Sequence, residues 1–168
     1  MQFSKDSFYV ALRDRLVVVN PGRTVTMNGS TRPAVVAVEN QPVQSTPEIA
    51  NVFYLSWGAA RATADSTSGR RPRVAMECSI RYGTAGILDG RVDRGRVLAA
   101  LDLELLQICS PHYTAKLDYT QAPSVALGTN IVWTRPELGE VSVADLTGII
   151  LQRVAKLTVH YFPEVNLP

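Results

Sequence analysis

Two stretches of the chain alternate apolar and polar residues with a period of two, the pattern of a strand with one buried face. In residues 73–82 the apolar side chains fall on the even positions. In residues 150–162 they fall on the odd positions from Ala155 to Tyr161. Each stretch therefore predicts a long strand with one face in the core and one face towards solvent.

Two other stretches carry apolar residues at helical spacing. Residues 5–18 predict an amphipathic helix, which ends before the turn sequence Asn20-Pro21-Gly22. The second helix is predicted to begin after Asp93, a residue type that caps helix N-termini, and to end at Pro111. Its apolar stripe consists of Val97, Leu98, Leu101, Leu105 and Ile108. We expect Asp102 and Glu104 to lie on its solvated side.

Shorter β segments surround these four elements. Asn28-Gly29 between two β-type runs predicts a hairpin that begins at Thr24. Residues 33–38, 52–57 and 130–134 are rich in β-branched and aromatic side chains, so each predicts a strand.

Two regions lack such patterns. Residues 58–72 consist mostly of Gly, Ala, Ser, Thr and Arg, and they predict a long mobile loop. Residues 111–130 contain Pro111 and Pro123, which disfavour long regular elements, so we expect an irregular segment there.

The order of these elements predicts a single domain, residues 1–168, of the α+β class. The apolar face of the sheet and the apolar stripes of the two helices must be buried against one another. We therefore expect a mainly antiparallel sheet of about four to six strands with two principal helices packed on one face.

Composition excludes several classes of protein. A hydrophobic fraction of 46% and a charged fraction of 19% are typical of a globular domain. A net charge of +2 is too small to indicate a nucleic-acid-binding protein. No run approaches 18 apolar residues and no secretion signal is visible, so we expect a cytoplasmic protein without membrane contact. Cys78 and Cys109 stand alone in sequence, which favours small buried hydrophobes over a zinc site or disulfide.

One concentrated basic feature stands out. Arg61, Arg70, Arg71 and Arg73 lie in or beside the predicted loop and are candidates for contacts with phosphate or an acidic partner. A solvated loop explains them equally well, and the sequence leaves both interpretations open.

Candidate catalytic residues are sparse. His112 and His160 each lack a neighbouring ligand or base in sequence, so we predict no catalytic residue, cofactor or metal ion. An enzyme would require His112, Asp118 and Glu77 to converge in a cleft. A third alternative is a nucleic-acid-binding module that uses the arginine-rich loop.

Four segments of the chain, by their order and their pattern of residues, resemble the bacteriophage tail terminator and tail-completion (minor tail) proteins. The segments are residues 7–16, 73–81, 94–106 and 152–161. The resemblance implies a structural protein of a phage or prophage that forms a hexameric ring, caps the tail tube and joins it to the head. Its partners would then be further copies of itself, the tail tube and head-completion proteins. Its location would be the cytoplasm during assembly and the virion tail afterwards.

The resemblance also suggests a role for the basic residues. Arg61, Arg70 and Arg71 would contact a neighbouring subunit, the tube, or DNA that passes through the lumen of the ring.

Overall fold

The computed structural model describes residues 1–40, 49–63, 73–88, 91–143 and 149–163. The helices are α1 (Gln2–Val19) and α2 (Arg94–Ile108). The strands are β1 (Thr24–Met27), β2 (Ser30–Pro33), β3 (Val35–Ala37), β4 (Phe53–Thr63), β5 (Arg73–Thr84), β6 (Thr114–Asp118), β7 (Val125–Trp133), β8 (Glu137–Leu138), β9 (Ser142–Val143) and β10 (Leu151–Tyr161). A short 3-10 helix, Val38–Asn40, follows β3.

The main sheet has the strand order β3-β4-β5-β10-β7-β6, and the two-residue strands β8 and β9 also pair with β10. The pairings within it are antiparallel except that of β3 with β4. Strands β1 and β2 form a separate hairpin, as the Asn28-Gly29 sequence predicts, and both turn residues have positive φ. The predicted α+β class with a mainly antiparallel sheet is confirmed.

The alternation in β5 and β10 sorts their side chains onto two faces. All 11 residues of β10 pair with β5, from Leu151 opposite Thr84 to Tyr161 opposite Val74. The apolar residues of both strands join one hydrophobic core, which also contains the apolar residues of α1 and α2. Both helices therefore pack on one face of the sheet, and we call the opposite face the outer face.

Helix α1 is held to the sheet by an apolar stripe at i, i+4 and i+8. Phe8, Leu12 and Leu16 are fully buried. The ring of Phe8 makes edge-to-face contacts with Trp57 of β4 and Trp133 of β7, with centroids 5.6 and 5.1 Å away. This geometry is favourable for aromatic pairs, and it connects the helix to two different strands.

Helix α2 begins after Asp93, as predicted, but this carboxylate does not cap the helix. It accepts hydrogen bonds from the backbone N–H groups of Ile87 and Leu88 instead. The bond from Ile87 is the main reason why the pKa of Asp93 lies below its ordinary value. Asp93 thus orders the connection between β5 and α2.

The end of α2 is closed by groups from other elements. One guanidinium nitrogen of Arg15 donates to the carbonyl oxygens of Ile108 and Ser110 at 2.9 and 2.7 Å. The indole N–H of Trp133 donates to the Cys109 carbonyl at 3.0 Å. Arg15 also lies over the Trp133 ring, 5.0 Å from its centroid. These contacts satisfy carbonyl groups that have no partner within the helix.

The expected loop at residues 58–72 is wrong in part. Residues 58–63 form the second half of β4 and pair with β5, while residues 64–72 lie outside the described residues. This half of β4 is exposed on both faces, so it has no apolar alternation from which a strand could be predicted.

The expected irregular segment at residues 111–130 is also wrong in part. It contains β6 and most of β7, which pair as an antiparallel hairpin. Pro111 and Pro123 both lie in connections outside these strands, so they do not interrupt the hydrogen-bonded ladder.

The expectation that Asp102 and Glu104 are solvated is wrong for both residues, whose side chains are each only 14% exposed. Asp102 accepts a hydrogen bond of 2.6 Å from the Tyr82 hydroxyl of β5 and lies 3.2 Å from the Arg153 guanidinium of β10. It thereby connects α2 to the two central strands.

Glu104 connects α2 to the chain that follows α1. The guanidinium of Arg23 donates to both of its carboxylate oxygens at 2.9 Å, and the Asn20 amide donates at 2.6 Å. Burial would raise the pKa of Glu104, but the hydrogen bonds from Arg23 and Asn20 outweigh it and leave this pKa below its ordinary value.

We expect Tyr82→Phe to lower the free energy of unfolding by about 1–3 kcal/mol, because it removes a hydrogen bond to a charged and poorly solvated carboxylate. Urea denaturation followed by circular dichroism measures this change. Tyr113→Phe is the matched control, since Tyr113 is 73% exposed, and it should change stability by less than about 0.5 kcal/mol. Equal effects of the two substitutions would contradict the assigned role of Asp102.

We expect Glu104→Gln to destabilise the protein by about 1–3 kcal/mol at pH 7. Because the pKa of Glu104 is lower in the folded chain than its ordinary value of 4.5, its stabilisation is complete above pH 4.5 and is lost as the pH falls through the folded pKa. The difference in unfolding free energy between wild type and variant should therefore shrink on acidification. Glu140→Gln, at an exposed site, is the control. A difference that stays constant with pH would refute this account.

Candidate assembly surface

The outer half of β4 pairs with the start of β5, and we call this pair of strand segments the ribbon. Along β4, the half-buried Trp57 is the last residue packed against the core, and every residue from Gly58 to Thr63 is exposed. Pairing with β5 nevertheless continues as far as Thr63, which lies opposite Arg73. The β4 side of the ribbon is thus held by backbone hydrogen bonds with little apolar burial, whereas β5 also pairs with β10 along this length.

A β-bulge marks the start of the ribbon. Trp57 pairs with Cys78 and Ala60 pairs with Met76, so Gly58 and Ala59 together oppose Glu77. A Cβ atom at Gly58 would lie 3.2 Å from the Cβ of Glu77, closer than most such contacts. A bulge bends the strand that carries it and strengthens the local twist of the strand pair.

One edge of this ribbon lacks a partner strand. β3 pairs with β4 only at Phe53–Leu55. Within the described ranges, no strand pairs with β4 from Ser56 to Thr63 on the side away from β5. We call this side of residues 56–63 the open edge. An unpaired strand edge is a template for strand addition by another chain.

The opposite edge of the sheet is covered. There, helix α1 packs on β6, and the Ser7 hydroxyl accepts a hydrogen bond from the Leu117 backbone N–H at 3.0 Å. Ser7 is fully buried. The two edges of the sheet therefore differ, because a helix satisfies β6 while β4 extends into solvent.

Two of the four arginines proposed from the sequence come together on the ribbon. Arg61 lies opposite Ala75, and Arg73 lies opposite Thr63, which places both arginines on the outer face as diagonal neighbours. Neither makes an ion pair with another described residue. Arg70 and Arg71 lie outside the described residues.

The residues of the alternative enzyme hypothesis lie on different elements. His112 follows α2, Glu77 is exposed on β5, and Asp118 ends β6. The carboxylate of Asp118 accepts hydrogen bonds from Thr120 and Gln121, chief among them the one from the Thr120 side chain, and these lower its pKa. No group of three or more His, Cys, Asp or Glu in the described part of the chain has the arrangement of a metal site.

A second exposed surface lies at the ends of the two helices. Val18 is 83% exposed, and it borders a shallow cleft of about 440 Å³ together with Val19, Gln107 and His112. We call these residues the helix-end surface. Exposed apolar side chains that lie together, as Val18 and Val19 do here, are typical of protein contacts.

Sequence reasoning missed the open edge, although it singled out two residues beside it. The available signal was indirect: a β-type run at residues 52–57 and another at 73–82 flank the small-residue segment as the arms of one hairpin would. Only the pairing register shows how far these arms extend.

No protein-family model fits the chain, and a comparison with curated proteins finds no match. Among the described residues, neither helix has the combination of length and apolar character that crossing a bilayer requires.

Proposed function

We propose that this chain is a structural assembly protein, which joins copies of itself into a ring by strand addition at the open edge. The open edge is the observation that carries the proposal. The resemblance to tail terminator proteins supports the particular assignment: a ring in a phage or prophage tail that caps the tail tube and joins it to the head. On this proposal the protein functions through contacts with other proteins and catalyses no reaction.

The chemistry of the open edge suits such a contact. Residues 56–63 present backbone N–H and C=O groups in strand geometry, and each hydrogen bond to an added strand contributes about 0.5–1.5 kcal/mol net. Four of these residues are glycine or alanine, whose small side chains allow close approach of another strand. Strand addition therefore needs no deep pocket on this surface.

A closed ring requires two different surfaces on each subunit, because its contacts are head-to-tail. The open edge supplies one surface, and the apolar helix-end surface is our candidate for another contact, either with the neighbouring subunit or with the tail tube. Arg61 extends from the outer face beside the open edge, where it can pair with an acidic group of the next subunit. Assembly would take place in the cytoplasm, and the ring would then reside in the virion tail.

The proposal predicts a closed oligomer, six subunits if the resemblance holds, in light scattering across a concentration series. We expect the double substitution Ala60→Lys/Ala62→Lys to shift the population to monomers, because lysines along an exposed strand oppose edge-to-edge pairing. Ala99→Lys/Ala100→Lys adds the same charge at two exposed positions of α2 and should leave the oligomer intact.

Two results would contradict this proposal. One is a wild-type protein that stays monomeric at every concentration. The other is an oligomer of unchanged mass in the Ala60→Lys/Ala62→Lys variant. Circular dichroism of each variant establishes that the fold is retained before its mass is interpreted.

A further inference from the structure

A cleft opens where β7 separates from β10. The two strands pair only at Val132 with His160 and at Trp133 with Val159. Towards its start, β7 departs from regular pairing with β6 at a bulge that contains Gly128, whose φ is +70°. The resulting cleft has a volume of about 380 Å³, within the range of small-molecule sites.

Three polar side chains in this cleft have unused hydrogen-bonding capacity. His160 Nδ1 and Thr129 Oγ1 are buried from solvent without a hydrogen-bond partner. Arg73, at the start of β5, lines the same cleft and makes no ion pair with another described residue. Buried polar atoms nearly always have partners. Rotation of these two side chains would turn both atoms towards a ligand beside the arginine, and a ligand there would give them the partners that they lack.

The groups that converge here suit a phosphate. Its oxygens accept hydrogen bonds from a guanidinium, a hydroxyl and an imidazole N–H alike, and arginine matches its geometry with two parallel bonds. Asn130 also lines this cleft. Buried Lys116 donates to the Phe162 carbonyl at 2.6 Å, which fixes the end of β10 beside the cleft.

The rim carries two exposed aromatic rings. Tyr113 is 73% exposed and Phe162 is 40% exposed, and both line the cleft. Aromatic side chains beside a basic site are the means by which proteins stack nucleic-acid bases without reading their sequence. A phosphate ligand with an attached planar ring would use both parts of this site.

We infer that this cleft binds a nucleotide, with its phosphate on Arg73, His160 and Thr129 and its base against the ring of Tyr113 or Phe162. A free nucleotide and a nucleotide within a single strand present the same chemistry to it. The inference does not depend on ring formation, so either proposal can fail without the other.

The charges around His160 supply an independent readout. From β5 it faces Arg73 and Glu77, which flank its partner Ala75. From β7 it faces Val132, which does not titrate. Burial, and secondarily the charge of Arg73, lower the pKa of His160. A bound phosphate would raise this pKa, so binding takes up protons and should tighten as the pH falls towards the pKa of the complex.

The first test is calorimetric titration of the full chain with thymidine monophosphate and with a five-nucleotide oligothymidylate. Saturable binding of one ligand per chain is expected. Equal affinities would identify a free nucleotide as the ligand, whereas at least tenfold tighter binding of the oligonucleotide would identify a single strand. No saturable binding of either ligand would overturn the inference.

Three substitutions separate this cleft from general attraction to positive charge. Arg73→Gln and the nearly isosteric Thr129→Val should each weaken binding by about tenfold or more. Arg135→Gln removes an exposed arginine that does not line the cleft, and it should leave the affinity unchanged. Equal losses in Arg73→Gln and Arg135→Gln would refute a specific site.

Proton NMR completes the test without any substitution. The chain has two histidines, so His112, outside this cleft, is an internal reference for His160. Addition of thymidine monophosphate should raise the titration midpoint of His160, while the His112 resonances report general changes in the protein. Binding that leaves the His160 midpoint unchanged would place the ligand elsewhere.

Discussion

The antiparallel pairing of β5 with β10 is the constraint on which the other elements depend. Its 11 paired positions set which residues of both strands face the helices. A shift of one residue would turn every core side chain of one strand to the outer face, so burial of the alternating apolar residues selects this register. β4 attaches to the free side of β5, and β7, β8 and β9 attach to β10.

Polar contacts then fix the helices on this frame at particular points. Asp102 joins α2 to β5 and β10 through Tyr82 and Arg153, and Arg15 joins α1 to the end of α2. Such contacts favour one arrangement of the helices, because a hydrophobic core by itself tolerates several. They also explain why Asp102 of α2 is largely withdrawn from solvent.

The two proposed functional regions arise from the limits of the same sheet. The open edge exists because β3 ends after three residues while β4 continues into solvent. The nucleotide cleft exists because β7 follows β10 for only two paired positions before it turns towards β6. In both places backbone and polar groups are presented by strands that pair directly with one of the two central strands, β5 or β10. Arg73 lies between these regions, at the end of the ribbon and in the wall of the cleft.

The sequence by itself determined the elements in which the spacing of apolar residues shows which face is buried. The alternation at residues 73–82 and 150–162 and the helical stripe from Leu98 to Ile108 each reflect one buried face, so their type and approximate bounds could be predicted. Residues 58–63 are exposed, and the two buried residues of 114–118 are polar, Lys116 and Asp118, so neither strand shows the apolar alternation from which it could be predicted.

Only the tertiary structure decided which residues meet. Thr129 and His160 lie 31 positions apart, and nothing local indicates that their side chains share a cleft with Arg73. Of the predicted basic group, Arg61 and Arg73 share a face because the register of β4 and β5 aligns them. Local pattern encodes how each segment divides between core and solvent, whereas sites depend on contacts between distant segments, and a single sequence does not display those contacts.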